Sequence, residues 1–221
     1  MNQDEKKFKV AEVALEYIES GQIVGIGTGS TVNCLISLFN KIKNKIDGVV
    51  SSSESTTKLL MEQGLRVLEL REAGRLPLYI DGADEANSFC QLIKGGGGAL
   101  TREKIVAQAS DTFICIIDDT KLVDKLGKFP LPVETLETAQ SLVSLEIVKM
   151  GGKPVLRESF TTDNGNPILD IHNLDIFEPI KIEKAINNIP GVVTNGLFAL
   201  RPADKLLIGY ENNVDVLETN V

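Results

Sequence analysis

The chain has 221 residues, 43% hydrophobic and 24% charged, which suits one large globular domain or one domain with a smaller companion, and a real core. A net charge of −8 argues against generic nucleic-acid binding, so an anionic ligand has to be caught locally by a few lysines and backbone amides. Cys34, Cys90 and Cys115 are odd in number and form no CxxC, and no apolar run approaches the roughly 18 residues of a membrane helix, so neither a disulfide framework, a zinc site nor a membrane partner is expected.

The opening MNQDEKKFKV carries acids and no apolar stretch, so no signal peptide is expected and the cytoplasm is the expected location. Residues 4–20 scan as an amphipathic helix with Phe8, Ala11, Leu15 and Ile18 on one stripe and Gly21 as its stop. Ile23–Ile26 is a short apolar strand, Gly27-Thr28-Gly29-Ser30-Thr31 a turn, and Val32, Leu35, Ile36 and Phe39 have helical spacing. A strand, a hydroxyl-rich turn and a helix aim backbone N–H groups at an anion. The pattern repeats over 48–70, with a helix start at Ser53-Glu54-Ser55-Thr56 and a second strand at 66–70. Successive βα units predict a parallel sheet with ligands beyond the strands' carboxyl ends. The next strand, Leu78–Ile80, ends in Asp81, and Gly82, Asp84 and Glu85 follow in the same loop. A strand over 91–94 then leads into four glycines, placing Asp81 and Lys94 at neighbouring strand ends.

Two phosphate motifs fail here. There is no GxxxxGK[ST], and Gly25 and Gly27 would begin a GxGxxG whose third glycine is replaced by Ser30. The hydroxyls of Thr28, Ser30 and Thr31 suit a small phosphate monoester, against the plainer reading of an N-cap cluster. Lys94 to Ala107, KGGGGALTREKIVA, joins a cation, a bare backbone cradle and a helix with Thr101 as N-cap and Glu103 in its first turn. It reads equally as a flexible loop before a helix whose Glu103 complements the macrodipole.

A strand over 113–118 precedes Lys121, and Phe129-Pro130-Leu131-Pro132 marks a boundary. Beyond it come a strand (132–136), helix (138–150), strand (154–160), turn at Asp163–Asn166, strand (167–172), helix (178–188) and strand (191–200), the βαββαβ order of a split ferredoxin-like unit. Lys205–Gly209 rejoins the first sheet, followed by Val214–Leu217. The expected fold is α/β, a Rossmann-like, mostly parallel sheet domain (1–129 plus 204–221) with a smaller ferredoxin-like α+β domain (130–203). The lone His172 sits in an apolar strand pattern and reads as structural, and no histidine flanks Cys90 to activate it, so all three cysteines read as buried thiols.

Taken together, GIGTGST (25–31), YIDGADE (79–85), KGGGGALTREK (94–104), DDTKLVDKLG (118–127), GNPILDIHN (165–173) and IPGVVTNGLF (189–198) resemble the A-type ribose-5-phosphate isomerases over nearly the whole chain. Thr101 and Thr194 are the minor departures. The resemblance implies interconversion of ribose 5-phosphate and ribulose 5-phosphate in the non-oxidative pentose phosphate pathway, with no metal or organic cofactor, by a homodimer. It implies Glu103 as the base between C1 and C2, Lys94 as stabiliser of the enediolate oxygen, Asp81 as proton shuttle, and Asp84 acting on hydroxyls and ring opening. Thr28, Gly29, Ser30, Thr31, Gly82, Ala83, Gly95, Gly96 and Gly97 would hold the substrate, with Lys121 and Lys7 lending charge to its phosphate. Two other classes use a GTGST-like turn: sugar-phosphate deaminases and CoA transferases, with different catalytic sets, and sugar-phosphate sensor domains, which would lack the set Asp81, Asp84, Lys94 and Glu103.

Overall fold

The computed structural model describes residues 2–219. In chain order the elements are α1 (Gln3–Leu15), β1 (Ile23–Ile26), α2 (Ser30–Ser37), β2 (Gly48–Ser51), α3 (Glu54–Glu62), α4 (Leu70–Ala73), β3 (Leu76–Asp81), β4 (Glu85–Ala86), β5 (Leu92–Ile93), α5 (Leu100–Gln108) and β6 (Ser110–Asp118). They continue as β7 (Leu131–Thr135), α6 (Gln140–Lys149), β8 (Lys153–Leu156), β9 (Ile168–His172), α7 (Pro179–Asn187), β10 (Val192–Asn195), β11 (Leu197–Phe198), β12 (Lys205–Gly209) and β13 (Val214–Glu218). Packing divides them into two units, the first holding residues 1–83, 102–122 and 203–221, the second 84–101 and 123–202. The second unit therefore takes in the loop and glycine run that the sequence reading assigned to the first domain.

The first unit is built on a six-stranded sheet in the order β13-β12-β6-β3-β1-β2, parallel except for β13. β2 and β3 flank β1 on opposite sides, so the strand order reverses between β1 and β3, and ligands of such sheets lie beyond the strand ends at that point. β1 and β6 are buried runs rather than alternating ones, as a sheet covered on both faces requires. Val32, Leu35, Ile36 and Phe39 are buried as their spacing predicts.

The first helix differs from expectation. Asn2 and Glu5 form a reciprocal capping box, but the helix ends at Leu15, and its buried stripe is Val10, Ala11 and Ala14, with Phe8 exposed. The small side chains let it lie close, and it packs on α2 and β6. The expected strand at 66–70 reduces to an isolated bridge between Val49 and Val67, followed by the one-turn α4.

The second unit carries a four-stranded antiparallel sheet, β10-β7-β9-β8, the ferredoxin-like order of the βαββαβ pattern. Its core gathers Val133, Val143, Ile147, Leu169, Ile171 and Ile186. A separate antiparallel sheet, β11-β5-β4, corrects a further expectation: β5 does not join the sheet of β3, so Asp81 and Lys94 do not end neighbouring strands. The strand expected over 191–200 is split at Gly196, whose N–H donates to Pro132 O (2.8 Å) while its carbonyl accepts the Lys94 N–H (2.9 Å). Buried Asn195 holds the crossing, accepting the Leu197 N–H (3.0 Å) and donating to Glu183 O (3.1 Å) and Asn187 Oδ1 (2.8 Å). Cys90 and Cys115 are buried and Cys34 half-buried, all three as free thiols. No described helix is long and apolar enough to cross a membrane.

Two outcomes follow from these contacts. Asn195→Ala leaves several buried groups short of partners and is expected to lower stability to urea by about 1–3 kcal/mol; an unchanged midpoint would show that the crossing does not depend on that side chain. Tyr79, in β3 of the first unit, is fully buried, and burial foremost, then the charges of Asp81 and Glu103, push its phenol well above its ordinary value. A phenol whose proton is held more tightly in the folded state contributes stability that is complete below about pH 10 and is given up as pH climbs past it. The absorbance difference between wild type and Tyr79→Phe should therefore show no Tyr79 phenolate in the folded protein through that range, and a signal appearing before unfolding would contradict the burial.

Candidate active site

In the first unit, residues 28–31 follow the carboxyl end of β1 and enter α2, whose N-cap is Gly29. Its φ of 111° is one that favours glycine, and it leaves the turn without a side chain at the helix mouth. Ser30 is exposed and Thr28 and Thr31 half-buried. The Thr28 hydroxyl accepts a bond from Ser53 Oγ (3.1 Å), and Ser53 Oγ also caps α3 through the Thr56 N–H (3.1 Å). Two helix starts are thereby joined through one hydroxyl pair.

Asp81 is the last residue of β3, beside β1, and it is fully buried. Its Oδ1 accepts the N–H groups of Thr28 (3.0 Å) and Gly82 (2.7 Å), and its Oδ2 accepts the Tyr79 hydroxyl. Gly27 is obligatory here, because a Cβ at that position would lie 1.8 Å from Asp81 Oδ1. A buried carboxylate survives only with such compensating donors. Glu103, in the first turn of α5, is 3% exposed, and its charge acts on the same Tyr79 phenol. The first unit thus gathers two carboxylates, Asp81 and Glu103, around one buried hydroxyl.

The two lysines expected at a phosphate also belong to this unit. Lys7 is on α1, 3.5 Å from Asp4, and its charge is felt by the Cys34 thiol, which burial nonetheless pushes up. Lys121 closes the short helical turn after β6. That turn and α1 are tied by Gln3 Nε2 to Asp118 (3.2 Å) and Lys6 to Asp119 (2.7 Å), so Lys7 and Lys121 ride on elements fixed to one another.

In the second unit, Asp84 and the glycine run are one construction. Asp84 Oδ2 accepts the Gly96 N–H (2.7 Å), and the Asp84 N–H donates to Ile93 O (2.9 Å). The Gly96 amide, expected among the ligand donors, is therefore already engaged by Asp84. Gly98 closes a turn on Gly95 O (2.9 Å) with φ of 84°, and a Cβ there would lie 2.1 Å from the Phe160 ring. Lys94 is 2% exposed, with its ammonium 5.6 Å from the Phe198 ring centre and its backbone fixed to Gly196. Gly97 is exposed, and Gly82 and Ala83 are half-buried.

Thr101 does not cap α5. The helix begins at Leu100, and the Thr101 hydroxyl donates to buried Glu134, which also accepts Thr162 Oγ1 (3.0 Å) and the side-chain amides of Asn164 (3.2 Å) and Asn166 (2.8 Å). Sequence reasoning passed over Glu134 and Arg157. The Arg157 guanidinium pairs with Asp170 (2.8 Å) and donates to the carbonyls of Gly95 (3.3 Å) and Gly96 (3.1 Å), turning those carbonyls toward itself. Neither residue stands in a motif: Glu134 is a lone acid inside β7, and Arg157 directly follows the end of β8.

Comparison with known proteins identifies the family of the chain. A family model for ribose 5-phosphate isomerase A (phosphoriboisomerase A) matches residues 48–213. The crystal structure of ribose 5 phosphate isomerase A from Neisseria gonorrhoeae is 48% identical, with a TM-score of 0.97 over 100% of this chain and 99% of that one. The ribose 5-phosphate isomerase A of Methanocaldococcus jannaschii is 38% identical, with a TM-score of 0.92 over 97% and 98% of the two chains. A D-ribose-5-phosphate isomerase in complex with phospho-erythronic acid is 36% identical, with a TM-score of 0.94 over 99% and 100%. Matched in sequence from β2 to the hairpin after β12 and in structure from end to end, the chain belongs to the ribose 5-phosphate isomerase A family.

Proposed function

We propose that this protein interconverts D-ribose 5-phosphate and D-ribulose 5-phosphate, as an aldose–ketose isomerase of the non-oxidative pentose phosphate pathway working in the cytoplasm. The observation that carries the reading is the end-to-end match to isomerase structures, one of them holding phospho-erythronic acid. That ligand is a four-carbon phosphate whose planar carboxylate presents two oxygens on one sp2 carbon, as an enediolate presents its oxygens on adjacent ones.

Moving the carbonyl from C1 to C2 requires a base for the C2 proton, a stabiliser for the oxyanion, and a proton carrier between O1 and O2. Glu103 takes the C2 proton and returns it to C1. Lys94 holds the negative oxygen of the enediolate with its ammonium, and the desolvation of both side chains supports these roles, since charge acts most strongly away from water. Asp81 passes the proton between the two oxygens, and Asp84 handles the sugar hydroxyls and ring opening. Thr28, Gly29, Ser30 and Thr31 bind the phosphate with Lys7 and Lys121, and Gly82, Ala83, Gly95 and Gly97 line the sugar. The reaction uses no metal or organic cofactor.

The acting species is a homodimer. What supports this is α6 of the second unit, where Val143 and Ile147 are buried while Leu142, Leu145 and Val148 form an exposed apolar stripe at helical spacing. Leu145 alone is 61% exposed.

Turnover of ribose 5-phosphate in the presence of a chelator tests the reaction, with deuterium entering C1 of the product from heavy water. Glu103→Gln is expected to lower kcat by about 10²-fold or more with KM changed far less; near-normal turnover would remove Glu103 from its role. Leu145→Glu is expected to halve the mass measured by light scattering, and an unchanged mass would place the contact elsewhere.

A further inference from the structure

We propose that Tyr79 is a positioning residue for the isomerisation, its hydroxyl locking the Asp81 carboxylate in the one rotation from which it exchanges protons with the sugar oxygens. This rests on the role given to Asp81 above. A carboxylate turns about its Cβ–Cγ bond in a broad, nearly two-fold well, so a shuttle needs something to fix that rotation. Here the amides of Thr28 and Gly82 hold Oδ1, and the Tyr79 hydroxyl holds Oδ2 from the opposite side. Rotation of the carboxylate breaks all three bonds together.

The Tyr79 ring is packed on both sides within the first unit. Its ring stacks on Phe113 of β6 with centroids 5.0 Å apart and planes 30° from parallel. On the other side β1 places Gly25 directly across from Tyr79 in the parallel register, and a Cβ on Gly25 would lie 2.9 Å from the Tyr79 ring. A glycine inside a buried strand weakens it, and here the sacrifice makes room for this ring. The ionisable groups acting on the hydroxyl are Asp81 on its own strand and Glu103 on α5, both carboxyls. With burial they keep the phenol protonated, so toward Asp81 it serves as a donor. A tyrosine that only filled the core would need neither the hydroxyl nor its aim.

The test is a double-mutant cycle on the full-length enzyme with Tyr79→Phe, Asp81→Asn and the pair. Tyr79→Phe keeps the ring and its stacking but takes one donor from a buried carboxylate, so its thermal midpoint should fall by several degrees while the fold is retained. Its kcat should fall about 10-fold, as for loss of one charge-assisted bond at a reacting group, with KM within about two-fold. In the Asp81→Asn background the same change should alter kcat by less than about two-fold, because Tyr79 acts through Asp81. Wild-type kcat in Tyr79→Phe, or factors that multiply across the cycle, overturns the positioning role while leaving Asp81 in place. Wild-type kcat in Asp81→Asn overturns the assignment of Asp81 itself, and with it this inference, which separates the two failures.

Discussion

The arrangement depends on a carboxylate taken out of water at the end of a strand. Asp81 is fully buried, and an isolated charge there would be prohibitive, so the chain around it is shaped to supply donors. The parallel pairing of β1 with β3 brings the amide of Thr28 to it, the turn at Gly82 supplies a second, and Tyr79 a third. Gly27 carries no side chain because the carboxylate occupies the space where one would be. The motif GIGTGST is thus a consequence of the residue on the next strand as much as of any ligand. Gly25 clears the Tyr79 ring, Gly27 clears Asp81, and Gly29 opens the helix mouth, three glycines with three separate steric causes.

The second unit solves a related problem by different means. A glycine run is costly in entropy and has no side chains with which to hold its own shape. Its conformation is imposed from outside, by the Asp84 carboxylate on one amide, the Arg157 guanidinium on two carbonyls, and the Phe160 ring against Gly98. Arg157 is itself oriented by its pair with Asp170 on β9, so the ferredoxin-like sheet reaches the glycines through a charged side chain. Glu134 on β7 likewise holds the Thr101 side chain of the same unit. The smaller sheet therefore contributes rigid support to the residues proposed to bind sugar.

Local patterns were legible in the sequence because local physics decides them. The apolar run Ile23–Ile26, the helical spacing after Thr31, the Ser53 cap and the βαββαβ order all reappear in the structure. The errors came where tertiary contacts override periodicity. Phe8 fits a helical stripe by spacing, yet α1 packs with its small residues. The strand over 191–200 has continuous β character, but backbone bonds at Gly196 divide it between two sheets. β5 follows β3 in sequence without joining its sheet, a matter of topology that no residue pattern between 81 and 94 encodes. Of the candidate site, the motif residues stand out in the sequence and the residues that support them do not: Tyr79 lies inside YIDGADE as an ordinary strand residue, while Arg157 and Glu134 lie far along the chain from the groups they hold.

The net charge of −8 also falls into place through distance. A sugar phosphate is an anion, and a protein with this balance should repel it at long range. At physiological ionic strength, however, exposed charges are screened beyond about 8 Å, so only groups within reach of the substrate decide its binding. Lys7 and Lys121 sit on elements held together by Gln3, Lys6, Asp118 and Asp119, and the loop amides add donors without adding any side-chain charge to the surface. Lys94 is kept out of water, where its charge is neither screened nor shared with bulk ions. A net negative exterior is therefore compatible with holding a phosphate ester through short-range donors, of the kind proposed for Lys7, Lys121 and the loop amides, without the broad basic surface that polyanions bind.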